Sequence, residues 1–155
     1  MPRPEAAAAG SGLHSSIDIL AAGPHDRDAV CRLYAEAGYG AAPGAGDTVI
    51  VAKLGAALVG VVRLCPEEGV TVLRGMQVSK ACQGRGIGAR LLAACAPHMA
   101  KTETFCLPYT HLQNFYAAAG FARVHGPGLP GFLAERLAAY RGRGQDVMAM
   151  RRPAA

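Results

Sequence analysis

The stretch V-S-K-A-C-Q-G-R-G-I-G-A-R-L-L at positions 78–92 decides the fold. A strand-like run ends at Val78, three alternating glycines follow, and apolar residues then recur at helical spacing. Glycines in such a turn let the backbone approach a ligand without a side-chain clash. The first N–H groups of a helix have no internal acceptor, and together with the helix dipole they favour an anion. The stretch therefore predicts an anion-binding loop between strand and helix, with a pyrophosphate as occupant and Arg85 and Arg90 adding positive charge.

Two common nucleotide-binding motifs do not fit this loop. A Walker loop requires Gly-Lys-Ser/Thr, whereas Ala89 and Arg90 follow the last glycine. The dinucleotide fingerprint G-x-G-x-x-G belongs to a βαβ unit, whereas this loop follows a run of predicted hairpins. A glycine-rich turn that binds no ligand is the structural alternative.

The pattern of apolar residues on both sides of the loop predicts the order β-α-β-β-β-α-β-α-β-(α)-β around one sheet. Strands are predicted at residues 16–22, 48–54, 57–65, 70–78, 102–107, 121–124 and 146–151. Helices are predicted near residues 24–37, 87–95, 111–119 and 132–140. A turn is expected at 66–69. The first 15 residues are rich in Pro, Ala, Gly and Ser, so we expect a loose tail at 1–15 and a domain at 16–155.

Composition limits the class of protein. A length of 155 residues suits one domain, and 51% hydrophobic residues with 17% charged residues argue against disorder. The net charge of +5 favours an anionic partner, which could be nucleic acid, anionic lipid or a phosphorylated cofactor. The five cysteines are odd in number and lack C-x-x-C spacing, so we expect no zinc site, reduced thiols and a cytoplasmic location. The most apolar window, 49–65, contains Lys53 and Arg63 and is too short to span a membrane.

Two motifs together resemble a known family. Gln83, Gly86 and Gly88 match the Q/R-x-x-G-x-G/A signature of the GNAT N-acetyltransferases, and N-F-Y-A-A-A-G-F at 114–121 is similar to the family's F-Y-x-x-x-G-F. The resemblance covers about residues 17–151. It implies a single-domain α+β GNAT-like fold, with a mixed, mostly antiparallel twisted sheet flanked by helices.

The resemblance also implies an activity and its residues. The donor would be acetyl-CoA, no metal would be needed, and an amine acceptor would attack the thioester directly in a ternary complex. Tyr116 matches the tyrosine that protonates the leaving thiolate, and a phenol is a suitable donor for that step. A backbone N–H near the end of the central strand would stabilise the oxyanion. The residues implied to contact the cofactor are Met76, Gln77, Val78, Gln83, Gly84, Arg85, Gly86, Ile87, Gly88 and Ala89.

The sequence departs from the family pattern at the general base. Residues 70–78 contain no carboxylate, so water, a backbone carbonyl, Glu67, Glu68 or Glu103 would have to accept the amine proton. The family's CoA-contacting Asn, seven residues before the tyrosine, is replaced by Tyr109. We expect Tyr39 and the helix at 132–140 to wall the acceptor site, so that truncation of 129–142 would raise the acceptor KM alone.

Other functions stay open at the level of sequence. One is a CoA-binding sensor or interaction module with weak catalysis, and another is a toxin-like enzyme that acetylates aminoacyl-tRNA. The acceptor could be a small molecule or a protein, and an exposed strand near the C-terminus could form a homodimer. We otherwise expect neither nucleic acid nor membrane as a partner, because the arginines are scattered and no aromatic–basic stripe is present.

Overall fold

The computed structural model describes residues 16–155, so the predicted tail at 1–15 lies outside the described residues. This part of the chain contains seven strands and four α-helices besides short 3₁₀ turns. The strands are β1 (Ile17–Ala21), β2 (Thr48–Leu54), β3 (Ala57–Glu67), β4 (Val70–Val78), β5 (Thr104–Cys106), β6 (Ala122–Arg123) and β7 (Met150–Arg152). The helices are α1 (Arg27–Glu36), α2 (Ile87–Ala94), α3 (Gln113–Ala117) and α4 (Gly131–Gly142).

The strands form one sheet in the order β1-β2-β3-β4-β5-β7-β6. β1 runs antiparallel to β2, β7 runs antiparallel to both β5 and β6, and β4 is parallel to β5. The pairing of β4 with β5 places Thr71 opposite Thr104 and Val72 opposite Phe105. The predicted α+β class, the mostly antiparallel sheet and the element order are confirmed.

Some predicted boundaries differ from the observed ones. β3 continues through Pro66 to Glu67, so the chain reverses over Glu68 and Gly69 alone, whose φ angles are 48° and 86°. Two residues with positive φ match the twist of a tight hairpin, which is why the turn is shorter than predicted. The closing strand begins at Met150, since Val147 forms only an isolated bridge.

The chain divides into two compact units, and the first contains the described residues up to 63 together with 75–94. Its core joins Val30, Leu33 and Tyr34 of α1 to the sheet strands β2 and β3. These three residues have the i, i+3, i+4 spacing of one helix face, as predicted. Buried Asp26 secures the start of α1, because its carboxylate accepts from the Gly23 N–H and pairs with Lys53. These contacts hold the pKa of Asp26 below its ordinary value.

The second unit contains residues 64–74 and 95–155. α4 lies between β6 and β7 in the chain, as predicted, and it contributes to two apolar clusters through Leu133 and Leu137. Truncation of 129–142 would remove both leucines from the core, at a cost of about 2–5 kcal/mol for each. The truncation considered from sequence would therefore destabilise the protein rather than report on acceptor binding alone.

Within residues 16–155, no helix has the length and apolar character needed to cross a membrane.

Candidate active site

The segment that links β4 to α2 is closed by its own glutamine. A 3₁₀ turn at Lys80–Cys82 follows β4, and Gln83 then takes an extended conformation. The Gln83 side-chain amide donates to the Val78 carbonyl across the base of the loop, with an N···O distance of 3.1 Å. Gln83 therefore shapes the loop through this side-chain contact.

Among the described residues, none is an acceptor for the backbone N–H groups of residues 84–89. At the start of α2, the Arg90 N–H donates to the Gly86 carbonyl at 3.1 Å. In the described part of the chain, no hydrogen bond uses the N–H groups of the six residues that precede Arg90. Gly84 and Gly86 have φ angles of 81° and 79°, which L-residues rarely adopt. Ile87 is buried and anchors the start of the helix. Free donors at a helix N-terminus form an anion-binding surface.

The two arginines near this loop differ in their contacts. Arg85 is exposed on the loop itself. Arg90 instead donates from Nη2 to the Ile17 carbonyl at 3.1 Å, which ties α2 to β1. One N–H group of Arg90 is thus held against β1, whereas Arg85 lies on the loop, where its charge would favour an anion.

The end of β4 contains an irregularity just before the predicted contact residues Met76, Gln77 and Val78, which are half-buried. Gly75 has a φ angle of 66°, and its carbonyl accepts a hydrogen bond from the Tyr34 hydroxyl at 2.9 Å. A Cβ at position 75 would lie 2.3 Å from that hydroxyl oxygen, so both the φ angle and the contact require glycine.

Tyr116 lies on α3 and is 5% exposed, whereas its neighbour Phe115 is half-buried. The tyrosine ring packs edge-on against Phe115 and Phe121, at centroid distances of 5.0 and 5.9 Å. No other described residue forms a hydrogen bond with its hydroxyl. Burial raises the pKa of Tyr116 above its ordinary value of 10.0, and charge on the Cys106 and Cys95 thiols would raise it further. The phenol therefore keeps its proton at neutral pH.

Two of the three carboxylates considered as a base, Glu67 and Glu103, pair with arginines. Glu67 accepts two hydrogen bonds from Arg136, at 2.7 and 3.3 Å, and lies 3.6 Å from Arg74. Glu103 is bonded to Arg151. Both carboxylates are therefore oriented by ion pairs with arginines of the chain. Glu68 lies in the exposed β3–β4 turn.

Sequence reasoning missed one group of residues in the first unit. Arg63, treated there only as an interruption of an apolar run, is 3% exposed and contacts Tyr34, Tyr39 and Asp47. Tyr39 was predicted to wall the acceptor site, and its hydroxyl accepts from Arg63 at 3.0 Å. A buried arginine in a strand must find partners, and this was the available signal.

Among the described residues, no cluster of three or more His, Cys, Asp or Glu side chains could hold a metal ion. Cys82, the last residue of the 3₁₀ turn before the loop, is buried.

Comparison with known proteins gives a family and a fold. The family model described as acetyltransferase (GNAT) domain matches residues 45–123, just over half of the chain. No curated protein matches the chain.

Three solved structures illustrate the similarity of fold. An acyl-CoA N-acyltransferase from Pseudomonas aeruginosa is 21% identical with a TM-score of 0.65, and the match covers 88% of this chain and 99% of that one. N-acetylglutamate synthase from Neisseria gonorrhoeae, complexed with coenzyme A and N-acetyl-glutamate, is 20% identical with a TM-score of 0.65, over 90% of this chain and 35% of that one. An aminoglycoside 6'-N-acetyltransferase complexed with coenzyme A is 14% identical with a TM-score of 0.65, over 88% of this chain and 96% of that one. With the family model and the fold in agreement, the chain belongs to the GNAT acetyltransferase family and is an acyltransferase.

Proposed function

We propose that this protein is an N-acetyltransferase that moves an acetyl group from acetyl-CoA to a primary amine by direct attack in a ternary complex. The observation that carries the proposal is the row of six N–H groups at residues 84–89, which have no acceptor among the described residues, in a loop with the family signature. Two proteins of similar fold, the N-acetylglutamate synthase and the aminoglycoside acetyltransferase, have coenzyme A bound.

The proposed donor site has two parts. The N–H groups of residues 84–89 and the dipole of α2 would bind the pyrophosphate of CoA, because free donors at a helix N-terminus suit an anion. Arg85 would add positive charge, and Gln83 would keep the loop closed through its bond to Val78. The backbone of residues 76–78 would contact the pantetheine arm.

The proposed reaction is acyl transfer in one complex. The amine nitrogen forms a bond to the thioester carbonyl carbon, and a backbone N–H near the end of β4 stabilises the resulting oxyanion. Collapse breaks the C–S bond, and the thiolate takes a proton from the Tyr116 hydroxyl. The phenol then recovers a proton from solvent. The phenol is protonated before the reaction, because its pKa lies above the ordinary value of 10.0, and its burial makes it a weaker acid than an exposed phenol.

The base that accepts the amine proton is proposed to be water. Residues 70–78 carry no carboxylate, and Glu67 and Glu103 are bonded to arginines. An amine that is already neutral near pH 8–9 would need no protein base at all. Activity should therefore rise with pH as the free amine fraction of the acceptor rises.

A second function has a specific observation in its favour. The absence of a carboxylate on β4 and the high pKa of Tyr116 both weaken proton transfer, which would suit a CoA-binding sensor that does not turn over. The retained tyrosine at position 116 favours the enzyme.

One experiment separates these functions. CoA binding is measured by titration calorimetry, and thiol release from acetyl-CoA is followed with small amines, polyamines, peptides with free amino groups, and aminoacyl-tRNA. The proposal expects CoA binding and amine-dependent thiol release with at least one of these acceptors. Binding without turnover on the whole panel would favour the sensor, and absence of CoA binding would overturn both functions.

A further inference from the structure

Arg63 stands at the centre of a buried polar cluster in the first unit. Its Nε donates to the Tyr34 hydroxyl at 3.1 Å, one Nη donates to Asp47 at 3.0 Å, and the other donates to the Tyr39 hydroxyl at 3.0 Å. The guanidinium carbon lies 5.6 Å from the centre of the Tyr34 ring and 5.9 Å from that of Tyr39. Both a carboxylate and two aromatic rings thus compensate the buried charge.

The cluster reaches the irregular end of β4 through a single atom. The Tyr34 hydroxyl accepts from Arg63 and donates to the Gly75 carbonyl at 2.9 Å. Arg63 therefore fixes the direction in which this hydroxyl donates, because the Arg63 N–H occupies its acceptor side. Gly75 directly precedes Met76, so the orientation of its peptide group sets where the following backbone groups point.

The other side of the cluster holds the loop between α1 and β2. Asp47, which pairs with Arg63, also accepts from the Gly44 N–H at 2.7 Å, and Arg63 approaches the Ala42 carbonyl at 3.4 Å. The Tyr34 and Tyr39 rings pack with centroids 4.6 Å apart. The same guanidinium thus restrains both residues 39–47 and the Gly75 peptide.

We propose that Arg63 and Tyr34 are positioning residues for acyl-CoA: they hold the Gly75 peptide so that the backbone of residues 76–78 presents its polar groups to the pantetheine arm. This inference rests on the proposed function. Nothing in the cluster touches the loop at 84–89 in the described contacts, so the pyrophosphate part of the site should be independent of it.

The test compares CoA with 3′-phosphoadenosine 5′-diphosphate, the part of CoA that keeps the pyrophosphate but lacks the pantetheine arm. Tyr34→Phe removes the hydroxyl and leaves the Gly75 carbonyl unpaired, with little change of shape. We expect it to weaken CoA binding by about 5- to 10-fold, the size of one buried hydrogen bond, and to leave binding of the nucleotide unchanged. Thr102→Val, which removes a hydroxyl that is hydrogen-bonded to Thr71, is the control and should change neither.

A second variant disturbs the same hydrogen bond through its acceptor residue, Gly75, rather than through Tyr34. Gly75→Ala places a Cβ 2.3 Å from the Tyr34 oxygen and should show the same selective loss of CoA affinity. An equal loss of affinity for CoA and for the nucleotide, or no loss of affinity for either, would overturn the role of the cluster. Failure of the unaltered protein to bind either compound would instead overturn the proposed function.

Discussion

At the scale of the residue, Tyr116 shows how packing modifies a motif. The spacing of F-Y-x-x-x-G-F singled it out, but two adjacent aromatics cannot both face the core of one helix. The structure buries Tyr116 between Phe115 and Phe121, which also raises its pKa. A buried phenol is a weaker acid than an exposed one, so its advantage as a donor is position rather than acidity.

Replacement of Tyr116 by Phe tests this role. We expect kcat to fall by about 10- to 1000-fold, while the Kd for CoA stays within about two-fold, because no phosphate or pantetheine contact is assigned to this hydroxyl. Steady-state kinetics and calorimetry provide the two readouts, with Thr102→Val as the control. An unchanged kcat would remove Tyr116 from the mechanism.

The pH dependence has a defined sign. The protonated phenol is the active form, and its pKa lies above the ordinary 10.0, so wild-type kcat should not fall below pH 10 through loss of this proton. A descending limb with a midpoint below pH 9 that disappears in Tyr116→Phe would contradict the raised pKa.

At the scale of the element, the β4–α2 loop depends on backbone conformation more than on side chains. The sequence predicted β4 to the residue and the start of α2, because an apolar run, a glycine cluster and helical spacing follow one another. The short strands β5, β6 and β7 were predicted to be longer than they are. Their ends lie where hydrogen bonding to the partner strand stops, and a local sequence pattern does not show that point.

Gly86→Ala tests the loop as an anion site. The new Cβ meets no atom of the protein within 4 Å, but the φ angle of 79° is strained for alanine. Release of that strain would turn the N–H groups at the start of α2, and we expect CoA and 3′-phosphoadenosine 5′-diphosphate to bind at least 10-fold more weakly.

A matched control is available in the β2–β3 hairpin. Gly55 has a φ angle of 61° and equally open surroundings, so Gly55→Ala should cost similar stability, about 1 kcal/mol. Thermal unfolding should show equal losses in both variants, while calorimetry should show weaker CoA binding in Gly86→Ala alone. Equal affinities in the two variants would count against the loop.

At the scale of the whole molecule, contacts within the fold hold many of the 16 lysines and arginines that give the net charge of +5. Several arginines donate to carbonyl or carboxylate oxygens of the chain itself: Arg27, Arg63, Arg90, Arg136, Arg141, Arg151 and Arg152. An arginine with such partners contributes less to a continuous basic surface. The composition alone could not show these contacts, because the number of charged residues says nothing about which atoms they bond to.

The charge distribution therefore predicts weak binding of nucleic acid. Fluorescence anisotropy with labelled tRNA at about 150 mM salt should give a Kd no tighter than about 1 µM, the range of non-specific electrostatic binding. CoA binding should be tighter than this under the same conditions. A tRNA Kd well below that limit would favour aminoacyl-tRNA as the acceptor.

The sequence by itself determined the order of elements, the glycine loop and the family, because these depend on local periodicity and on glycines at fixed spacing. Tertiary structure decided which of Phe115 and Tyr116 is buried, the partners of Glu67 and Glu103, and the cluster around Arg63. Tyr34 and Gly75 are 41 residues apart, and no local pattern encodes a hydrogen bond between them. Only the packing of α1 onto the sheet brings that hydroxyl to that carbonyl.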